Sequence, residues 1–160
     1  MNNNNHKISI ATLNCRGLKK TNNPKKRQQF IRYLRSSGFD ILVLQETHAN
    51  DETTIQQFNL QFQTKSSTWN RQTGIIAINN KYKINPIEAG IDDGRFILAD
   101  ILHNNDINSS PVCTILNIYG RIGTATNKSN FFRELLDTDN IHQILHNPIT
   151  IQIALQKTRP

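Results

Sequence analysis

Cysteine, long apolar runs and acidic charge are all scarce in this chain, and each shortage narrows what it can be. Cys15 and Cys113 are the only cysteines among 160 residues. They lack CxxC spacing, and the five histidines form no ligand series with them, which argues against a structural zinc and fits a reducing compartment. No apolar run approaches the ~20 residues of a membrane-crossing helix, and the opening MNNNNHK has no apolar core of a secretion signal. Neither a membrane partner nor export is expected. Hydrophobic residues make up 36%, below the roughly 45–50% of ordinary globular chains. Asn, Gln, Thr and Ser fill the gap, so an asparagine by itself marks no site.

Positive charge is what the chain has in excess. Lys and Arg number 19 against 12 Asp and Glu, giving +7 and a pI near 9.7, which favours polyanionic partners such as nucleic acid or anionic lipid. The length suits one domain with a sizeable core. KISIATLN (7–14) alternates as a strand, and NNPKKRQQFIRYLRSS (22–37) predicts an amphipathic helix with a capping Asn, Pro24 in the first turn and Gly38 as terminator. Residues 39–45 predict a second strand, 51–58 a short helix and 74–80 another strand. Strands at 83–89, 95–102 and 112–119 are spaced like an antiparallel meander, followed by a helix over 129–136 and a last strand over 147–155.

The apolar run Ile41 to Leu44 needs cover on both faces, yet it stops two residues before Glu46. Strand, helix, strand over residues 7–45 makes a βαβ unit, whose crossover sets the strands parallel and both C-terminal ends on one edge. Asn14 and Glu46 stand at those ends, where α/β sheets bind ligands. A carboxylate there suits a hard divalent ion, because Mg²⁺ takes one or two protein carboxylates beside water and phosphate. Spacing alone equally allows a solvated strand-end glutamate.

Five motifs in order decide more: TLNCRGL (12–18), ILVLQETH (41–48), GIIAI (74–78), GRFIL (94–98) and LNIYGR (116–121). Together they resemble the endonuclease/exonuclease/phosphatase (deoxyribonuclease-I-like) superfamily. The form QETH, with NCRGL before it and GRF after, most resembles the apurinic-like endonuclease domain of LINE-type non-LTR retrotransposons. The resemblance implies an α/β fold, here a partial four-layer α/β sandwich with a mixed sheet, flanking helices and a second sheet largely missing. It implies Mg²⁺, or Mn²⁺, as cofactor, with Glu46 as metal carboxylate and Asn14 beside it. Tyr119 matches the tyrosine that contacts the attacked phosphate, Asn117 the asparagine that helps fix the site, and Arg95 an arginine serving the substrate phosphate or the structure. His48 shares the strand face of Glu46 but is not among the catalytic candidates. Implied partners are DNA or another phosphodiester substrate, and the implied setting is intracellular, nuclear where the domain serves retrotransposition.

The sequence also departs from the family. Arg121 stands where the NxYxP motif has proline, which frees a backbone angle after Tyr119. The resemblance spans residues 7–149, after a polar tail at 1–6 and before a divergent end at 150–160. The family's later Asp-x-Asn strand and Asp-His pair, which activate water and stabilise the phosphate, are not found; Asp106-Ile107-Asn108 precedes Tyr119 and reads as turn chemistry. The expected function is therefore a fragment of a metal-dependent phosphodiesterase domain, inactive alone, with marginal stability or self-association through an uncovered sheet face. Two alternatives stay open: a catalytically dead, basic nucleic-acid-binding remnant, and a phosphatase branch of the superfamily.

Overall fold

A computed structural model describes residues 7–20, 22–90, 93–106, 110–120, 123–146 and 151–154. The first sheet is built as the βαβ pattern requires. β1 (Ile10–Asn14) pairs in parallel with β2 (Ile41–Gln45), setting Asn14 opposite Gln45. Between them α1 (Pro24–Arg35) is capped by Asn23, whose side chain accepts from the Lys26 amide, and buries Ile31 and Leu34. α2 (Glu52–Phe62) runs a turn beyond the predicted 51–58, because Phe58 and Phe62 both find the core. Two antiparallel strands, β3 (Ser66–Trp69) and β4 (Thr73–Ala77), complete the order β1-β2-β4-β3. β3 escapes sequence reading because SSTW lacks an apolar alternation.

The second sheet corrects one expectation. Predicted to be largely missing, it has four strands in the order β5-β6-β7-β8. β5 (Tyr82–Ala89), β6 (Phe96–His103) and β7 (Cys113–Ile118) form the antiparallel meander, and β8 (Ile151–Ala154) adds in parallel to β7. The reason is that β6 and β7 are apolar on both faces, so they form the centre of a sheet of their own rather than an extension of the first. Pro86 is tolerated because β5 is an edge strand with a bulge between Pro86 and Glu88.

The sheets pack face to face. Val43, Ile75, Ile97, Ala99, Ile101 and Ile115 fill the space between them. Outside the first sheet, Leu42, Leu44 and Ile76 meet α1 and α2. Outside the second, Leu98, Leu116 and Ile118 meet Phe131 and Leu135 of α3 (Ala125–Leu136) and Ile141 of α4 (Asp139–His146), a helix the sequence reading did not foresee. The result is helices, sheet, sheet, helices. The polar tail at 1–6, Arg121, Ile107 and Asn108, and residues 147–150 and 155–160 of the C-terminal end lie outside the described residues.

Candidate active site

The loops after β1 and β2 carry an unusual backbone. Arg16, Lys20, Glu46 and His48 all have positive φ, between 41° and 56°, and Gly17 has φ 82°. Such conformations cost about 1–3 kcal/mol each in non-glycine residues and persist only where neighbours over-determine them. Here the neighbours are backbone amides. Gly17 N and Leu18 N both donate to Glu46 O, at 2.9 and 3.2 Å, while Ala49 N donates to Arg71 O at 3.1 Å. Strict alternation from Gln45, which faces the second sheet, would send the next side chain to the helical face. The left-handed turn at Glu46 brings it back to the sheet edge.

There the Glu46 carboxylate meets two partners. Asn14 Nδ2 donates to Glu46 Oε1 at 2.7 Å, and Tyr119 OH donates to the same oxygen at 2.9 Å. The two carboxyl-terminal strand ends thus share one mouth, as the βαβ argument predicts, and Tyr119 reaches it from the second sheet. Asn14 Oδ1 accepts from Arg16 N at 2.9 Å, which fixes the amide's orientation. Among the described residues, no hydrogen bond reaches Glu46 Oε2.

Tyr119 is held from behind. Arg95 places its guanidinium 5.1 Å from the ring centroid, donates from Nη1 to Gly120 O at 3.2 Å and sits 3.1 Å from Asp93. Burial, then the hydrogen bond and charge of Glu46, hold the phenol above its ordinary pKa, with Arg95 acting in the opposite direction. The phenol is therefore a proton donor at neutral pH.

Asn117 lies away from solvent. It is fully buried, donates to Leu44 O and Gly74 O at 2.9 and 3.0 Å, and accepts from Gln45 Nε2 at 2.8 Å. Its amide crosses from the second sheet to the first, directly beneath the mouth. Gln45, which sequence reasoning passed over, also reaches Thr12 Oγ1 at 3.2 Å. A glutamine closing an apolar run was its only signal. His48 is exposed and lies against Gly17, where a Cβ would come within 3.2 Å of its ring. Asp106 lies at the opposite end of the sheets, in a cavity it shares with Asp40, Tyr82 and His103.

The family model described as Endonuclease/Exonuclease/phosphatase family matches residues 11–137. The chain belongs to that family. Its fold resembles a crystal structure of humanized D. rerio TDP2 carrying 14 mutations, at 15% identity and TM-score 0.61, covering 91% of this chain and 59% of that one. It also resembles TDP2 from Caenorhabditis elegans, at 15% identity and TM-score 0.56, covering 88% of this chain and 44% of that one. The chain therefore spans less than two thirds of either structure. No curated protein matches it. Within the endonuclease/exonuclease/phosphatase match lie Asn14, Glu46, Arg95, Asn117 and Tyr119, so every candidate drawn from the motifs falls inside the shared region. No helix of the described residues is long and apolar enough to cross a membrane.

Proposed function

We propose that the chain carries the metal- and phosphate-binding half of a Mg²⁺-dependent phosphodiester-cleaving site of the retrotransposon-endonuclease type. The observation that carries this reading is the single carboxylate oxygen of Glu46 shared by Asn14 and Tyr119. The donor set fits a hard divalent ion: Glu46 keeps Oε2 for a metal while two donors on Oε1 fix the carboxylate plane, and Mg²⁺ asks for one or two carboxylates. Glu46 would hold the ion, which supplies Lewis-acid polarisation of a phosphate oxygen, and Asn14, with Nδ2 on Glu46 and Oδ1 on the Arg16 amide, would orient that carboxylate beside it. Mn²⁺ suits the same oxygen donors. Tyr119, neutral and donating, is placed to hand its proton's hydrogen bond to a phosphate oxygen when substrate displaces it from Glu46. Arg95, committed to Tyr119, Gly120 and Asp93, acts as a positioning residue, and Asn117 positions the mouth from within.

The forms QETH and NCRGL support the LINE type, and the basic charge supports DNA over a small phosphate ester as substrate. Cleavage by this chain alone is not expected. Glu46 meets an amide, Asn14, and a phenol held protonated, Tyr119, neither of which is a base for water, and general acid–base help is typically worth ~10²–10⁴-fold. Self-association would run along β1, the edge strand of the first sheet, whose open side can pair with a second copy, and is measurable by sedimentation. The functional test is nicking of supercoiled plasmid with Mg²⁺. The chain alone should not nick. A chimera joined after residue 149 to the second part of a complete LINE-type endonuclease should nick, and lose activity with Glu46→Ala. Nicking by the chain alone, or by the chimera carrying Glu46→Ala, would contradict the reading.

A further inference from the structure

The positive charge of this chain is not spread over its surface. Residues 16–35 hold Arg16, Lys19, Lys20, Lys25, Lys26, Arg27, Arg32 and Arg35 and no acidic residue; removing these eight from 19 Lys and Arg leaves 11 against 12 Asp and Glu, a net −1. All of the chain's excess charge therefore comes from one segment, which begins two residues past Asn14. Among the described residues only Lys19 of the eight forms an ion pair, with Asp51 at 3.5 Å.

The fold lays this segment out as a track. α1 starts beside the mouth and, as a crossover helix, returns along the outside of the first sheet toward the opposite edge. Lys25, Gln28, Arg32 and Arg35 recur at spacings of three, four and three, so they form one stripe along the helix. The stripe is ~15 Å long at 1.5 Å per residue. Its far part forms one wall of a groove of about 350 Å³ between α1 and α2, lined by Gln28, Arg32, Arg35, Leu60, Gln61 and Gln63. Arg35 is anchored there by donating to Gln61 O at 3.3 Å, and Gln61 Oε1 is buried without a partner among the described residues.

We propose that this groove is a second contact surface for a nucleic-acid strand, outside the catalytic mouth and leading to it along Lys25, Lys20, Lys19 and Arg16. The occupant follows from the charge and shape. A strand carrying a phosphate per ~3.4 Å of helix axis sets about four phosphates along a ~15 Å stripe, guanidinium groups match phosphate bidentately, and glutamine amides can both donate to phosphates and meet base edges. A flat bilayer cannot follow a concave groove, and the wall offers one apolar side chain, Leu60, rather than an inserting face. The proposal stands apart from the catalytic reading, because it needs neither Glu46 nor a metal.

The test is fluorescence anisotropy with a labelled 30-nucleotide single strand, followed across a salt series. The variants are Lys25→Gln/Arg32→Gln/Arg35→Gln and, as a charge-matched control on other elements, Lys65→Gln/Lys81→Gln/Lys83→Gln. Each lost phosphate contact removes ~0.7 from the slope of log K against log salt for a single strand. The groove triple should therefore flatten the slope by about 2 and weaken low-salt binding at least tenfold, while the control triple, equal in charge and confirmed folded by circular dichroism, should leave the slope in place. Equal effects of the two triples would mean diffuse attraction to net charge and would overturn the proposal, as would a groove triple that binds normally. Poly-glutamate or phosphatidylserine vesicles that bind as tightly as DNA, and lose binding with the groove triple, would assign the surface to a different partner and overturn it too. Introduced into both triples, Glu46→Gln should leave the difference in slope between them in place, so failure of the metal site would register elsewhere.

Discussion

Gln45, on the first sheet, donates through Nε2 to Asn117 Oδ1 on the second at 2.8 Å, and both side chains are fully buried. This pair, together with the Asn117 bonds to Leu44 O and Gly74 O, ties the two sheets together one residue away from Glu46 and two from Tyr119. Removing one partner strands buried polar groups, whereas removing both with apolar replacements of similar shape strands fewer. Asn117→Leu and Gln45→Leu should each destabilise by about 1–3 kcal/mol, and the double variant should cost less than their sum. Urea denaturation in a double-mutant cycle measures this; additive costs would show that the pair does not act as a unit.

Tyr119 is predicted to ionise only above its ordinary value of 10, because burial and Glu46 both disfavour the phenolate. The sign can be checked from either neighbour. Glu46→Gln removes an adjacent negative charge and should lower the phenol's pKa, while Arg95→Met removes a positive one and should raise it further. Ultraviolet difference titration against Tyr119→Phe isolates this phenol. Shifts in the opposite directions would mean that Tyr119 does not face Glu46 and Arg95 in solution.

At the other end of the sheet, Asp40 accepts from Ser9 N and Ser9 Oγ at 2.8 Å each and from the Asn79 amide, pinning the start of β1 to the start of β2. Burial alone would raise its pKa, but the Ser9 and Asn79 bonds and the charge of Lys81 outweigh this and lower it. A lowered folded-state pKa contributes stability that is present above the unfolded value of ~3.9 and is lost as pH falls through the folded value. Asp40→Asn should therefore cost about 1–2 kcal/mol at pH 7, with the difference from the parent shrinking below about pH 4. A cost that stays constant to low pH would remove the carboxylate's charge from the explanation.

The mouth was legible because it rests on local signals. An apolar run ending in QE, a helix with Asn23 and Pro24 at its start, and the parallel crossover they imply were enough to bring Asn14 and Glu46 to one edge. The second sheet was harder to foresee, because the alternation at the start of β5 and the apolar runs of β6 and β7 show that strands exist but not which sheet they join. β3 and α4 were invisible for different reasons: SSTW has no apolar face of its own until Trp69 packs on Phe58 and Phe62, and α4 shows its apolar face only through Ile141 against the second sheet. The left-handed turn at Glu46 left no trace either, since no glycine marks it. The engagement of Arg95 with Tyr119 and Gly120 rather than open solvent emerges only from tertiary packing.

Metal binding at the mouth can be measured without any turnover. Loss of the free Mn²⁺ electron paramagnetic resonance signal on titration should report one site in the parent chain. Glu46→Gln should weaken that site at least about tenfold, while Lys25→Gln/Arg32→Gln/Arg35→Gln should leave it in place. Mn²⁺ binding that is indifferent to Glu46→Gln would contradict the assignment of Glu46 as the metal carboxylate, and with it the functional reading of the mouth.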